Sequence, residues 1–100
     1  MHIISKKALQ DFWEKHPTAA SPLQTWFTVV RQAKWRNLAD VRRDFPAADL
    51  VGRLMVFNIG GNNYRLVARV EYEWQRVYVR HVLTHAEYDK ERWKHDDWNS

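Results

Sequence analysis

Apolar positions recur at helical spacing through the first third of the chain and alternate through its second half, with the change of period just after Phe45-Pro46. Leu9, Phe12, Trp13 and His16 line one side of a helix expected from the N-cap Ser5 to about Lys15, where Pro17 ends it. Ile3-Ile4 ahead of it reads as a short first strand. After a linker at Thr18-Ala19-Ala20, Ser21 stands as an N-cap, Pro22 takes the first helical position and Gln24 completes a capping box. The second helix buries Leu23, Trp26, Phe27, Val30 and Ala33 and turns Arg31 and Lys34 to water. Asn37 or Asp40 caps a further short turn that Phe45-Pro46 closes.

From Arg53 to Ile59 the pattern is strand-like, and Gly60-Gly61-Asn62 supplies residues that tolerate positive φ, as a tight hairpin requires. Tyr64 to Tyr72 then alternates: Tyr64, Leu66, Ala68, Val70 and Tyr72 share one face, Arg65, Val67, Arg69 and Glu71 the other. Glu73-Trp74-Gln75 turns the chain again into a strand from Arg76 to Thr84. Its alternation sets Val77, Val79, His81 and Leu83 opposite Arg76, Tyr78, Arg80 and Val82. The pattern predicts an α+β fold: a small antiparallel sheet with one face under the N-terminal helices and the other open. Thr84 and Glu87 then have capping-box spacing for a last helical turn, His85 to Asp89.

Length and composition exclude several classes of function. One hundred residues make one domain, 1–100, too small for two separate cores. Six Trp and only three Gly and three Pro exclude disorder and collagen-like repeats, and the absence of cysteine excludes a disulfide scaffold, a zinc ribbon and a thiol nucleophile. No apolar run suits a signal peptide or a membrane span, so the expected location is the cytoplasm with no membrane contact. The net charge of +4 and the pI near 9.6 suit a polyanionic partner. Residues 51–85 carry five Arg, no Lys and two Glu, whereas 86–100 carry five acids against three bases. Guanidinium groups are thus placed on the sheet, and about 90–100 is expected as a mixed, weakly structured tail.

Arg65, Arg69 and Arg80 are the candidates for the open face, where a guanidinium donates in a fork to two phosphate oxygens. Singly, each is more often a solvated surface residue, and Arg69 has Glu71 and Glu73 to pair with. His85 and Tyr88, three apart, fall on one side of a helical turn and can flank a scissile phosphate. On spacing alone, a capping or packing role is favoured for both. His81 and His85, if both lie on one strand, stand about 13 Å apart, too far to share one metal ion. No metal or other cofactor is expected. Gly60-Gly61-Asn62-Asn63 is a hairpin turn rather than a phosphate loop, because no helix with Lys-Ser or Lys-Thr follows it. Trp13 and Trp26 belong to helix stripes, whereas Trp35, Trp74, Trp93 and Trp98 lie near ends or turns, at the core edge or free to stack on bases.

The run Val56-Phe57-Asn58-Ile59-Gly60-Gly61-Asn62-Asn63-Tyr64-Arg65-Leu66-Val67-Ala68, with Thr84-His85-Ala86-Glu87-Tyr88-Asp89 after the last strand, resembles the HigB toxins of bacterial type II toxin–antitoxin systems. The opening Met1-His2-Ile3-Ile4-Ser5-Lys6-Lys7-Ala8-Leu9 and Phe45-Pro46 match as well. The resemblance implies a RelE-like fold and a messenger-RNA endonuclease acting on the translating ribosome. It also implies a HigA-type helix-turn-helix antitoxin, with operon DNA reached only through the antitoxin complex. Carried onto this chain, it marks Asn58, Arg65, Arg80, His85 and Tyr88. Arg65 and Arg80 are assigned to phosphate and transition-state charge, His85 to proton transfer, and Tyr88 to orienting the phosphate or assisting that transfer. Asn58 and Arg69 are assigned to substrate binding. The alternative is a non-catalytic RNA- or protein-binding module using the same basic sheet face.

Overall fold

A computed structural model describes residues 1–99. Strands β1 (His2–Ile4), β2 (Asp49–Val51), β3 (Leu54–Ile59), β4 (Tyr64–Glu71) and β5 (Arg76–Thr84) form one sheet in the order β1-β5-β4-β3-β2. Helices α1 (Lys6–Lys15), α2 (Ala20–Gln32) and α3 (Leu38–Asp44) precede β2, and α4 (His85–Asp89) follows β5. The expected meander is β3-β4-β5, with Gly60 and Gly61 at φ +61° and +67° in its first turn, where a side chain would be strained.

The sheet is mixed rather than wholly antiparallel, because β1 lies parallel to β5. The residue before β1 is tied down elsewhere: the Met1 amine donates to the Ala33 carbonyl at the end of α2, 2.6 Å away. Strand β2 has no counterpart in the sequence reading, since three residues with Leu50 exposed carry no alternation to detect. The capping box expected at Ser21 does not form. Pro17–Ala19 makes a 3₁₀ turn that runs directly into α2, so the backbone is already helical at Ala19 and Ser21 lies inside the helix. Asn37, by contrast, does cap α3, its side chain accepting the Asp40 amide. Asp40 is a buried carboxylate held by Arg36 and Arg43, and the Arg36 side chain is the first cause of its depressed pKa.

Between the helices and the sheet lies the main core. Leu9, Leu23, Trp26 and Val30 meet Phe57, Leu66, Ala68 and Val77, and Trp35 is fully enclosed against Phe45 and Phe57 rather than lying at an edge. The faces of β5 do not follow the simple alternation. Val67 pairs with His81 and Ala68 with Val79, so Arg80 is an extra residue, a β-bulge. Val77, Val79 and Val82 therefore all reach the helical core, while Leu83 joins the opposite face.

That opposite face is not open. Residues 85–99 fold back across it through α4 and two 3₁₀ turns, Arg92–His95 and Asp97–Asn99. Trp93, 3% exposed, sits on Leu54, Val56 and Val67 in a second small core edged by Val51, Leu83, Tyr88 and Trp98. Burying one Trp removes about 150–250 Å² from water, or roughly 4–6 kcal/mol at about 25 cal/mol/Å² before ordering costs. The weakly structured tail expected from its charge is thus an ordered cover, because two indoles among the charges anchor it.

Candidate functional site

The cover divides the three expected site arginines of the sheet, Arg65, Arg69 and Arg80, into two groups. In the first, Arg65 on β4 stands across from Asn58 on β3. Its guanidinium donates to the Tyr64 carbonyl at 3.0 Å and to Asn62 Oδ1 at 2.6 Å, and its Cζ lies 5.2 Å from the Tyr88 ring centre. Arg65 is only 8% exposed, and among the described residues no carboxylate pairs with it. A buried cation held by neutral acceptors alone retains its charge for an incoming anion.

Helix α4 sets the groups around it. The capping box forms as expected: Glu87 N donates to Thr84 Oγ1 at 3.2 Å and Thr84 N to Glu87 Oε1 at 2.9 Å. The bond from the Thr84 backbone is the leading cause of the depressed Glu87 pKa, so Glu87 is ionised at neutral pH. With the start of the helix fixed, Tyr88 faces Arg65 and stacks on Trp93 at 5.1 Å, and Trp93 Nε1 donates to the Tyr88 carbonyl. His85 is half exposed, its Nδ1 2.9 Å from Asp89 Oδ2.

In the second group the guanidinium forks are already filled. Arg80 donates through Nε and Nη2 to Asp96 at 3.1 Å each, and Arg69 pairs with Glu71 and donates to the Trp98 carbonyl. The Asp96 side chain, 4% exposed, also accepts the Trp98 amide at 2.8 Å and lies 2.7 Å from His81 Nε2. Burial opposes its ionisation, and the bonds from the Trp98 amide, Arg80 and His81 outweigh that, so its carboxyl lies below its usual value. Trp98 meets Tyr78 edge-on, ring centres 4.9 Å apart, and its ring centre lies 4.5 Å from Arg80 Cζ.

The structure therefore brings Asn58, Arg65 and Tyr88 together, with His85 on the same helix, and places Arg69 and Arg80 in a group clamped by the C-terminal segment. His81, Asp96 and Trp98 were not among the expected site residues. Fifteen residues separate His81 from Asp96, and the only local hint is the pair of indoles flanking an acid in a polar run.

Residues 19–91 match the family model of HigB_toxin, described as the RelE-like toxic component of a toxin-antitoxin system. The mRNA interferase toxin HigB of Escherichia coli K12 is 37% identical over 92 residues, covering 89% of this chain and 88% of that protein. The mRNA interferase HigB of Shigella flexneri gives the same figures, and that of Escherichia coli O6:H1 is 33% identical over 93 residues, 90% of each chain. The extent and identity of these matches show that the chain belongs to the HigB toxin family.

Proposed function

We propose that this chain is an endoribonuclease that cleaves messenger RNA on the translating ribosome and is neutralised by a HigA-type antitoxin, through which alone it reaches operon DNA. The naming of its relatives as mRNA interferases supports the reaction class. The observation that carries the site is Arg65, a buried arginine of this face held by neutral acceptors among the described residues. Its charge stabilises the phosphate as the RNA's own 2′-hydroxyl attacks, with no metal ion required by the step. His85 transfers a proton, Tyr88 orients the phosphate and Asn58 positions the substrate strand. Arg80 acts through Asp96 rather than on the phosphate, and Arg69 lies beyond the site.

Induction of the wild-type chain, with primer-extension mapping of transcript 5′ ends, should reveal new cleavage sites in translated messages. Arg65→Lys keeps the charge but loses the fork, and cleavage should fall on the order of 10²–10³-fold. Undiminished cleavage by Arg65→Lys at equal protein level removes it from the site. Binding of RNA or ribosomes with no cut in any message means a non-catalytic module.

A further inference from the structure

RNA cleavage by the adjacent 2′-hydroxyl needs two proton transfers. The 2′-oxygen bonds to phosphorus while the P–O5′ bond breaks, leaving a 2′,3′-cyclic phosphate and a 5′-hydroxyl. The proton lost by the 2′-hydroxyl passes to a base, and an acid delivers one to the departing 5′-oxygen. The Arg65 group contains one imidazole, His85.

We propose that His81 is a second proton-transfer residue of this reaction and that Asp96 is the residue that positions it. The proposal rests on the endonuclease reading above. Asp96 is buried and ionised, so it only accepts, and His81 Nε2 must carry the proton it shares at 2.7 Å. That fixes the tautomer and leaves Nδ1, which has no partner among the described residues, to exchange a proton with substrate. The carboxylate is itself immobile, gripped by the Arg80 fork and the Trp98 amide. Arg80 and the amide would hold the C-terminal segment without the imidazole. The further bond orients a ring that otherwise rotates freely, the arrangement by which a carboxylate readies a histidine for acid–base work. His85 also has a carboxylate partner, Asp89, but both side chains are exposed and neither is held in place by further bonds among the described residues.

The His81 side chain is 30% exposed and borders two clefts. One, of about 240 Å³, lies against α4 and the C-terminal segment and presents Glu87, Lys90 and Arg92 over a floor of Leu83 and Trp93. The other, of about 310 Å³, lies against α1, where Asp11, Lys15 and His16 face it beside Arg80. Lys90, Arg92 and Lys15 supply charge for the phosphates of a strand passing the ring, and Glu87 ties this cleft to the helix that carries His85 and Tyr88. The β-bulge at Arg80 makes the arrangement possible. By shifting the register it allows both Arg80 and His81 to reach Asp96, which strict alternation would forbid.

The test is the pH dependence of kcat and KM for cleavage of one mapped RNA site by the full chain, with ribosomes where they are needed. Wild type should give a bell-shaped profile. His81→Gln should lower kcat on the order of 10²-fold or more with KM nearly unchanged, and one limb of the bell should disappear. Asp96→Asn should lower kcat less and move that limb rather than remove it. His81→Ala should regain part of its lost rate when free imidazole is added, which a merely structural role would not allow. Wild-type kcat and an unchanged profile in His81→Gln, or no recovery of His81→Ala with imidazole, overturns the proposal while leaving the endonuclease reading intact. Absence of cleavage by the wild-type chain itself overturns both.

Discussion

Arg65 and Arg80 are the same residue type on one face of one sheet, yet their surroundings differ in the respect that decides function. Arg80 meets a buried carboxylate in both arms of its fork, so its charge is spent inside the fold. Arg65 meets an amide oxygen, a carbonyl and a tyrosine ring, which orient it without neutralising it. Exposure is a poor guide to the two: the more buried arginine is the one whose charge remains to be met. A guanidinium on a sheet is therefore a candidate phosphate ligand only once its carboxylate partners have been counted.

The largest expected loss sharpens the first region. His85→Gln keeps size and some hydrogen bonding but cannot shuttle a proton, so cleavage should slow on the order of 10²–10⁴-fold in a folded protein. Tyr88→Phe should cost less, because water replaces part of what the hydroxyl does. Primer extension of induced cells, beside circular dichroism of the purified variants, reads both. Wild-type cutting by folded His85→Gln transfers the proton step to other groups.

The second region should respond mainly in stability. Asp96→Asn weakens charge-assisted bonds to Arg80 and His81, and a loss of about 1.5–3 kcal/mol is expected in chemical denaturation. Acid should act on the same clamp. The folded pKa of Asp96 is lowered, so its contribution is fully present above the unfolded value of about 3.9 and is lost as pH falls through the lower folded value. Tryptophan fluorescence from Trp93 and Trp98 should thus be steady at pH 5 and change on acidification below about pH 4. A transition of the same size and midpoint in Asp96→Asn would mean that other carboxylates hold the segment.

The smallest effect belongs to Trp74, 64% exposed in the turn between β4 and β5, at the edge of the second region where it shares a cleft with Arg69, Tyr78 and Trp98. Trp74→Ala should change thermal stability by no more than about 0.5 kcal/mol and leave cleavage unchanged. A loss of cleavage there would extend the substrate path to the far end of the sheet.

The elements with strong local signals were legible in the sequence. Alternation gave β3, β4 and β5 to within a residue, and Thr84 with Glu87 marked α4 correctly. What escaped was decided at long range or by backbone detail. A 3₁₀ turn at Pro17 pre-empted the Ser21 cap, and one bulged residue reversed the faces of the end of β5. The same limit applies to the site. Arg65, Asn58, His85 and Tyr88 carry motif signatures, whereas the link from Arg80 and His81 to Asp96 exists only because two indoles fold the last residues over the sheet.

Binding of a non-cleavable RNA, its 2′-hydroxyl replaced by hydrogen at the mapped site, measured against salt concentration tests the contrast between the two arginines most directly. Each lost phosphate contact reduces the slope of log K against log salt by about one. Arg65→Met should lower affinity and reduce the slope by about one with little change in melting temperature. Arg80→Met should keep the slope and melt earlier. A preserved slope in Arg65→Met together with a reduced one in Arg80→Met would contradict the account and make Arg80 the phosphate ligand.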